Sequence, residues 1–599
     1  MKWSWIAALA IVLSAPTSVA QDQQQVPAEP PPATNSPESE ISTQDLNNAI
    51  KVQVNLVLVR VVVRDAEGKA VPDLKQEDFK IWDNGRLQKV STFNVETAET
   101  REQSVAPTVE SGVSAAESGK EANAKPETGA RNALAIPQRF VVLLFDDFHM
   151  KVDEQLAVHA ATEKLFASLT PTDRVAIYST QGNVQQDFTS DAATLRKTLA
   201  NIAAHSGRDE GHYECPNISY YQARLIVYQH DEDATAAATT DAIVNNCPLN
   251  LQATAQRILQ EGDAETRETY HYLDTVVSKL AGMPGQRVLL YVSPGFLVGP
   301  ALFSKSSDWI ERAVRSGVVV NTVDSRALYT VEGLADISAP PQQAPFKHLE
   351  NGMLVGDPTY DYQGMEGTFR EQAQFESGQV LASMAANTGG TYFHNRSDLD
   401  VGMSRALAAP SISYVLGFRP QEVTADGKVH QLKVEVVNGK KYQIQARNEY
   451  FASKRLADPE EQAKQEVNER LFSQEEIVSI PVQLKSEFFR TDDTSAQLTV
   501  LTHLDGTAIH FRKVSGRSCD DVVLATALFD SNGQFVGGEM KEVALKLTDP
   551  TLEKISQSGI TIKAVFTVKP GTYMLRSVVR GSEGEQLTAK NLVTVIPEK

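Results

Sequence analysis

The sequence predicts a multidomain protein of α/β plus all-β class. A central open, mostly parallel sheet flanked by helices is expected to be inserted in or adjoin one β-sandwich, with a second β-sandwich at the C-terminus. Three observations predict this. The middle of the chain alternates continuous apolar strands with helical periodicity, the pattern of strands covered on both faces. On either side, short runs alternate apolar and polar residues and end in Gly, Asn and Asp turns. Two segments poor in large apolar residues, 21–47 and 97–135, read as disordered linkers because they bury too little surface to offset their ordering entropy.

Taken in order, residues 1–20 read as a secretory signal. Lys2 precedes the apolar run from Ile6 to Leu13, and Ser18-Val19-Ala20 gives small residues before a cleavage point. The run falls short of the ~20 residues that span a bilayer, and no second spanning segment follows. The expectation is an exported chain, periplasmic or extracellular, with no membrane span after cleavage. Its 599 residues suggest several domains, and its net charge of -19 argues against nucleic-acid and anionic-lipid partners, which need basic patches.

Residues 48–96 form a β segment. Val52, Val54, Leu56 and Leu58 alternate with polar residues, Val61-Val62-Val63 follows, and Phe79 to Trp82 leads into the hairpin turn Asp83-Asn84-Gly85. So few strands need a partner sheet, and 411–452 is expected to supply it. Between them, 136–410 forms the central α/β region. Arg139 to Phe145, Arg174 to Ser179, Arg287 to Val292, Val318 to Val323 and Gly389 to Phe393 read as strands. Val152 to Leu169, Asp191 to Ala203 (capped by Ser190 or Asp191), Thr269 to Leu280, Trp309 to Ser316 and Phe375 to Ala386 read as helices. A charged helical spacer at 453–473 precedes the C-terminal sandwich, 474–599.

Cys215 and Cys247 flank an insert at 204–265, while Cys519 lies far away. In an oxidising compartment Cys215 pairs with Cys247; two free buried thiols are the alternative. Only His212 stands near Cys215 at close spacing, which argues against zinc.

Phe140 to Phe145 followed at once by Asp146, the segment Asp173-Arg174-Val175-Ala176-Ile177-Tyr178, and Leu381 to Gly390 together resemble a von Willebrand factor A (VWA) domain. Val71-Pro72-Asp73-Leu74, Tyr414-Val415-Leu416-Gly417-Phe418 and Pro570-Gly571-Thr572-Tyr573 are similar to a narrower group, the VWA-domain-related proteins of acidobacterial type. The resemblance implies metal-assisted binding, in which an Asp-x-Ser-x-Ser loop, a Thr and a second Asp hold Mg²⁺ and leave one position for a partner's carboxylate. This chain departs from that pattern. Asp146 stands first, but Phe148 and Met150 replace the two serines, and Ser293 stands where the second Asp is expected. The Thr position falls near the insert and is not assigned. Asp146 and Ser293 are therefore candidate ligands of a degenerate site for Mg²⁺ or another divalent cation, with metal-free binding favoured. Asp147, His149 and Asp324 are candidate rim residues; each has an ordinary loop or capping role as its alternative.

No HExxH, GxSxG or GxxxxGK[ST] motif is present, and no base pairs clearly with Ser293, so no catalytic residue is assigned. The expected function is non-catalytic binding of a protein or glycan. The alternative is a structural or assembly role in the cell envelope, with the sandwiches carrying the contacts; a hydrolase with an unrecognised site is the remotest option.

Overall fold

Alternating Val57, Val59, Val61 and Val63 put one face of the strand Val57–Arg64 into a core shared with Phe79, Ile81, Tyr414, Leu416, Phe418, Leu432 and Tyr450. The computed structural model describes residues 40–45, 57–66, 69–97, 137–203, 215–327, 348–350, 353–355, 362–407, 412–418, 428–437, 442–452, 467, 470–472, 477–492, 494–582 and 587–597. The expected signal at 1–20, most of both linkers and most of the spacer lie outside these. Around the shared core lie two antiparallel four-stranded sheets. One runs in the order Gln443–Gln445, Val57–Arg64, Ile412–Phe418, Val90–Thr97, and the other Glu449–Ala452, Lys428–Val436, Phe79–Asp83, Arg86–Gln88. Tyr414 locks the core edge: its hydroxyl donates to the Val71 carbonyl at 2.6 Å and accepts from Leu74 N–H at 3.2 Å.

The intervening chain builds a six-stranded sheet in the order Tyr392–Phe393, Val318–Asp324, Gln286–Ser293, Arg139–Phe145, Asp173–Ser179, Gln185–Thr189. All seven residues of Arg139–Phe145 are buried. Phe140, Val142 and Leu144 pack on one face with Leu273, Val277 and Trp309, while Val141, Leu143 and Phe145 pack on the other with Val158, Leu165 and Met403. The helix Ala192–Leu199 is capped by Asp191, whose carboxylate accepts from Ala193 and Thr194 N–H. Within the insert, the helices Tyr220–Arg224, Glu232–Val244 and the first turns of Leu251–Ala281 surround a small core that Phe369 of the helix Tyr362–Thr388 completes. Cys215 and Cys247 are joined by a disulfide across 32 positions.

The C-terminal region holds a seven-stranded antiparallel sheet, centred on Arg517–Phe529 and Gly571–Gly581, and a three-stranded one of Val482–Arg490, Ala496–Leu504 and Ile560–Val568. Residues 41–45, placed in a linker by their composition, instead form the strand Ile41–Asp45, which pairs with Lys541 to Leu545.

The expected fold class is corrected by the balance among the described residues. There strand exceeds helix, 39% against 35%. Five of the six sheets among them are antiparallel throughout, and the sixth ends on the antiparallel strand Gln185–Thr189. A VWA-like, mostly parallel sheet flanked by helices is therefore not the class of this molecule; among the described residues parallel pairing is confined to four junctions of one sheet. The long apolar runs of the middle region dominate the sequence signal. The more numerous period-two strands each carry a weaker one.

Candidate functional site

Four polar residues stand in one row where the parallel strands end. Phe145 pairs with Ser179 on one side and Val292 on the other, and Asp324 pairs with Ser293. Thr180, Asp146, Ser293 and Asp324 thus follow one another across the sheet, on the side where open parallel sheets gather their loops.

Asp146 is fully buried. Its carboxylate accepts from Ser293 Oγ at 2.6 Å, Tyr291 OH at 2.8 Å, His149 Nδ1 at 2.9 Å, Thr180 Oγ1 at 3.0 Å and His149 N–H at 3.3 Å. Burial pushes this carboxyl up, but the His149 charge and the hydrogen bonds from His149, Ser293 and Tyr291 outweigh it, so the group lies below its ordinary value. Burial pushes the His149 imidazole down. The Asp146 charge and hydrogen bond, with Glu265 and Asp147 adding to them, reverse the sign and hold it above its ordinary value. Both shifts favour an internal aspartate–imidazolium pair. The exposed part of His149 is small, 21% of the side chain, and its ring stacks on Phe296 at 5.8 Å. Burial, and then the Asp146 charge, push the Tyr291 hydroxyl well above its ordinary value, so it stays a donor.

Asp147 is also buried. Its Oδ1 accepts from Gln181 N–H at 3.0 Å and lies 3.1 Å from Thr180 Oγ1. Burial raises its carboxyl despite these bonds. Asp324 is 1% exposed and held by Arg326 through Nε at 2.8 Å and Nη2 at 2.6 Å. Neither carboxylate is presented to a partner, so of the three rim candidates only His149 reaches the surface. The structure brings Asp146, Asp147, His149 and Ser293 into one network and keeps Asp324 in a separate pair beside it.

Sequence reasoning missed Thr180 and Tyr291. Thr180 was findable as the first residue after the strand Asp173–Ser179, which is parallel to Arg139–Phe145. Tyr291 sits in an apolar strand, and no sequence signal sets its hydroxyl apart.

The donor set does not fit Mg²⁺ of the kind the motif resemblance implies. A hard cation takes about six oxygen ligands. Here the two oxygens of Asp146 already face five protein donors, and the Phe148 and Met150 side chains supply no oxygen. His149 supplies the positive charge that a cation would bring. Neither protein-family models nor curated proteins give a match to this chain. No helix among the described residues is long and apolar enough to cross a membrane.

Proposed function

We propose that this chain is an exported binding protein without catalytic activity, engaging a protein or glycan partner at the rim where the parallel strands end. The observation that carries the reading is the closed Asp146 network. A buried carboxylate already matched by five donors is suited to holding loops in place rather than to reacting. The surroundings support a docking role. The Glu154 carboxylate accepts from Ser325 Oγ at 2.7 Å, which brings the start of the helix Val152–Phe166 beside the Asp324 loop. Arg326 Nη1 reaches the Gln374 carbonyl at 3.4 Å, which brings the helix Tyr362–Thr388 to the same place. On these helices Leu156 and Phe375 are each 67% exposed and Val152 is 52% exposed. Apolar side chains left in water beside a rigid polar frame suit the core of an interface. The leader-like N-terminus and the motif resemblance add support by analogy alone.

The test combines calorimetric titration of Mg²⁺, Mn²⁺ and Ca²⁺ into the full chain with saturable capture of a partner from the cell-envelope fraction. Capture that is weakened by Leu156→Asp with Phe375→Asp, with no cation heat, supports the reading. Cation binding abolished by Asp146→Ala would overturn its metal-free part. Capture indifferent to both rim substitutions would overturn the site.

A further inference from the structure

We infer that a cavity in the C-terminal β region binds a neutral carbohydrate, independently of the rim described above. The cavity measures about 420 Å³, within the ~300–1,000 Å³ typical of small-ligand sites. Four pieces of chain meet there: the start of the strand Val482–Arg490, the end of Ala496–Leu504, the end of the helix Asp549–Ser558, and the strand Leu587–Ile596. Gly559 makes the closure possible. Its φ is +67°, and a Cβ on it would lie 2.4 Å from the Leu504 carbonyl oxygen and 2.7 Å from His503 Nε2. Only glycine lets the helix end come this close to the His503 ring.

The wall offers donors and acceptors side by side. Lys590 Nζ donates to the Val482 carbonyl at 3.0 Å, and an ammonium has two further N–H groups. Asp505 spends Oδ1 on Thr507, from N–H at 2.9 Å and Oγ1 at 2.7 Å, and keeps Oδ2. His503 spends Nδ1 on Thr561 at 2.9 Å and keeps Nε2. The last turn of the helix adds backbone carbonyls, of which that of Ile555 is taken by Gly559 N–H. The carboxamides of Gln483 and Gln557 make no hydrogen bond among the described residues.

This chemistry selects against charge. Lys590 draws an anion that Asp505 and the negative end of the helix repel, and for a cation the signs reverse, so the opposed charges leave no net pull on either. A sugar suits both, since each hydroxyl donates and accepts, and Pro481 and Val482 offer apolar wall to its C–H face.

The experiment is isothermal titration of the full chain with neutral oligosaccharides of glucose, mannose and N-acetylglucosamine, against inorganic phosphate and glutamate as charged probes. Saturable binding of at least one neutral sugar is expected. The double substitution Gln483→Ala with Gln557→Ala, at two exposed side chains with no internal hydrogen bond, should weaken it about tenfold. Asp505→Ala should weaken it further, and Gln497→Ala, outside the cavity, should leave it unchanged. Binding of a charged probe alone, no saturable binding of any neutral sugar, or sugar binding unaffected by the double substitution would each overturn the proposal.

Discussion

Asp146 accepts from five donors, and what a substitution does there depends on whether it removes a hydrogen bond or a charge. Ser293→Ala removes the short hydrogen bond to Asp146 and the one Ser293 Oγ accepts from Gly295 N–H at 2.9 Å, and should destabilise the fold by about 1–3 kcal/mol in denaturant titration. His149→Phe strips the buried carboxylate of its counter-charge and should cost about 3 kcal/mol, the low end for a broken buried pair because His149 is partly exposed. Asp146→Asn combined with His149→Phe should recover part of that loss. If the two losses simply add, the pair is not coupled. Glu366 gives a pH signature elsewhere. Its side chain is 12% exposed, and burial, with the Asp241 charge adding to it, pushes its carboxyl from 4.5 to about 7 against the pull of Arg370. Between those values the folded state holds this proton more tightly than the unfolded one, so stability falls as pH rises from 4.5 to about 7 and levels off above. Glu366→Gln should flatten that part of the melting profile, and an unchanged slope would refute the assignment.

Elements are legible in the sequence where a continuous apolar run or a clear period marks the buried face, and not in the insert, where the buried face of Glu232–Val244 is made mostly of Ala and Thr. Arg139–Phe145 was readable to the residue because every position in it is apolar or begins the strand, and all seven are buried. The sequence marks the helix Leu251–Ala281 only from Thr269, since Gly262 and Asp263 interrupt its pattern. The structure explains the interruption: the Tyr220 ring lies 2.1 Å from where a Gly262 Cβ would stand, and Asp263 accepts from Tyr220 OH at 2.6 Å. Of the site, Asp146 and Ser293 could be read as strand-end polar residues, whereas the hydroxyls of Tyr291 and Thr180 become partners only when three strands are in register. Gly390 is another element-scale constraint, because a Cβ there would sit 2.0 Å from the Val320 carbonyl oxygen. Gly390→Ala should displace the edge strand Tyr392–Phe393 and cost about 1–3 kcal/mol. The Cys215–Cys247 bridge closes a loop of about 32 residues. Replacing both cysteines by serine should cost about 3–4 kcal/mol in the chain-entropy account. Faster amide exchange confined to the insert helices would locate that loss.

Across the molecule, a buried arginine, Arg174, and a half-buried one, Arg287, connect the six-stranded sheet to the chain that follows residue 470. Arg174 Nε donates to the Ser531 carbonyl at 2.9 Å, and Arg287 Nη2 to that of Phe472 at 2.6 Å. Burial pushes the Arg287 guanidinium down to about 10. Arg174→Met with Arg287→Met should split calorimetric unfolding into separated transitions. A single transition at an unchanged midpoint would show that the two regions are coupled by packing instead. The pairing of strands has a further consequence, for the order in which the chain acquires its structure. Ile41–Asp45 rests on residues 541–545, and Val57–Arg64 on 412–418 and 443–445. Both strands therefore wait for partners made several hundred residues later, and such distant closures are slow. Until those distant segments are made, the backbone N–H and C=O groups of Ile41–Asp45 and Val57–Arg64 lack the partners they hold in the fold and stay open to any binder of extended chain.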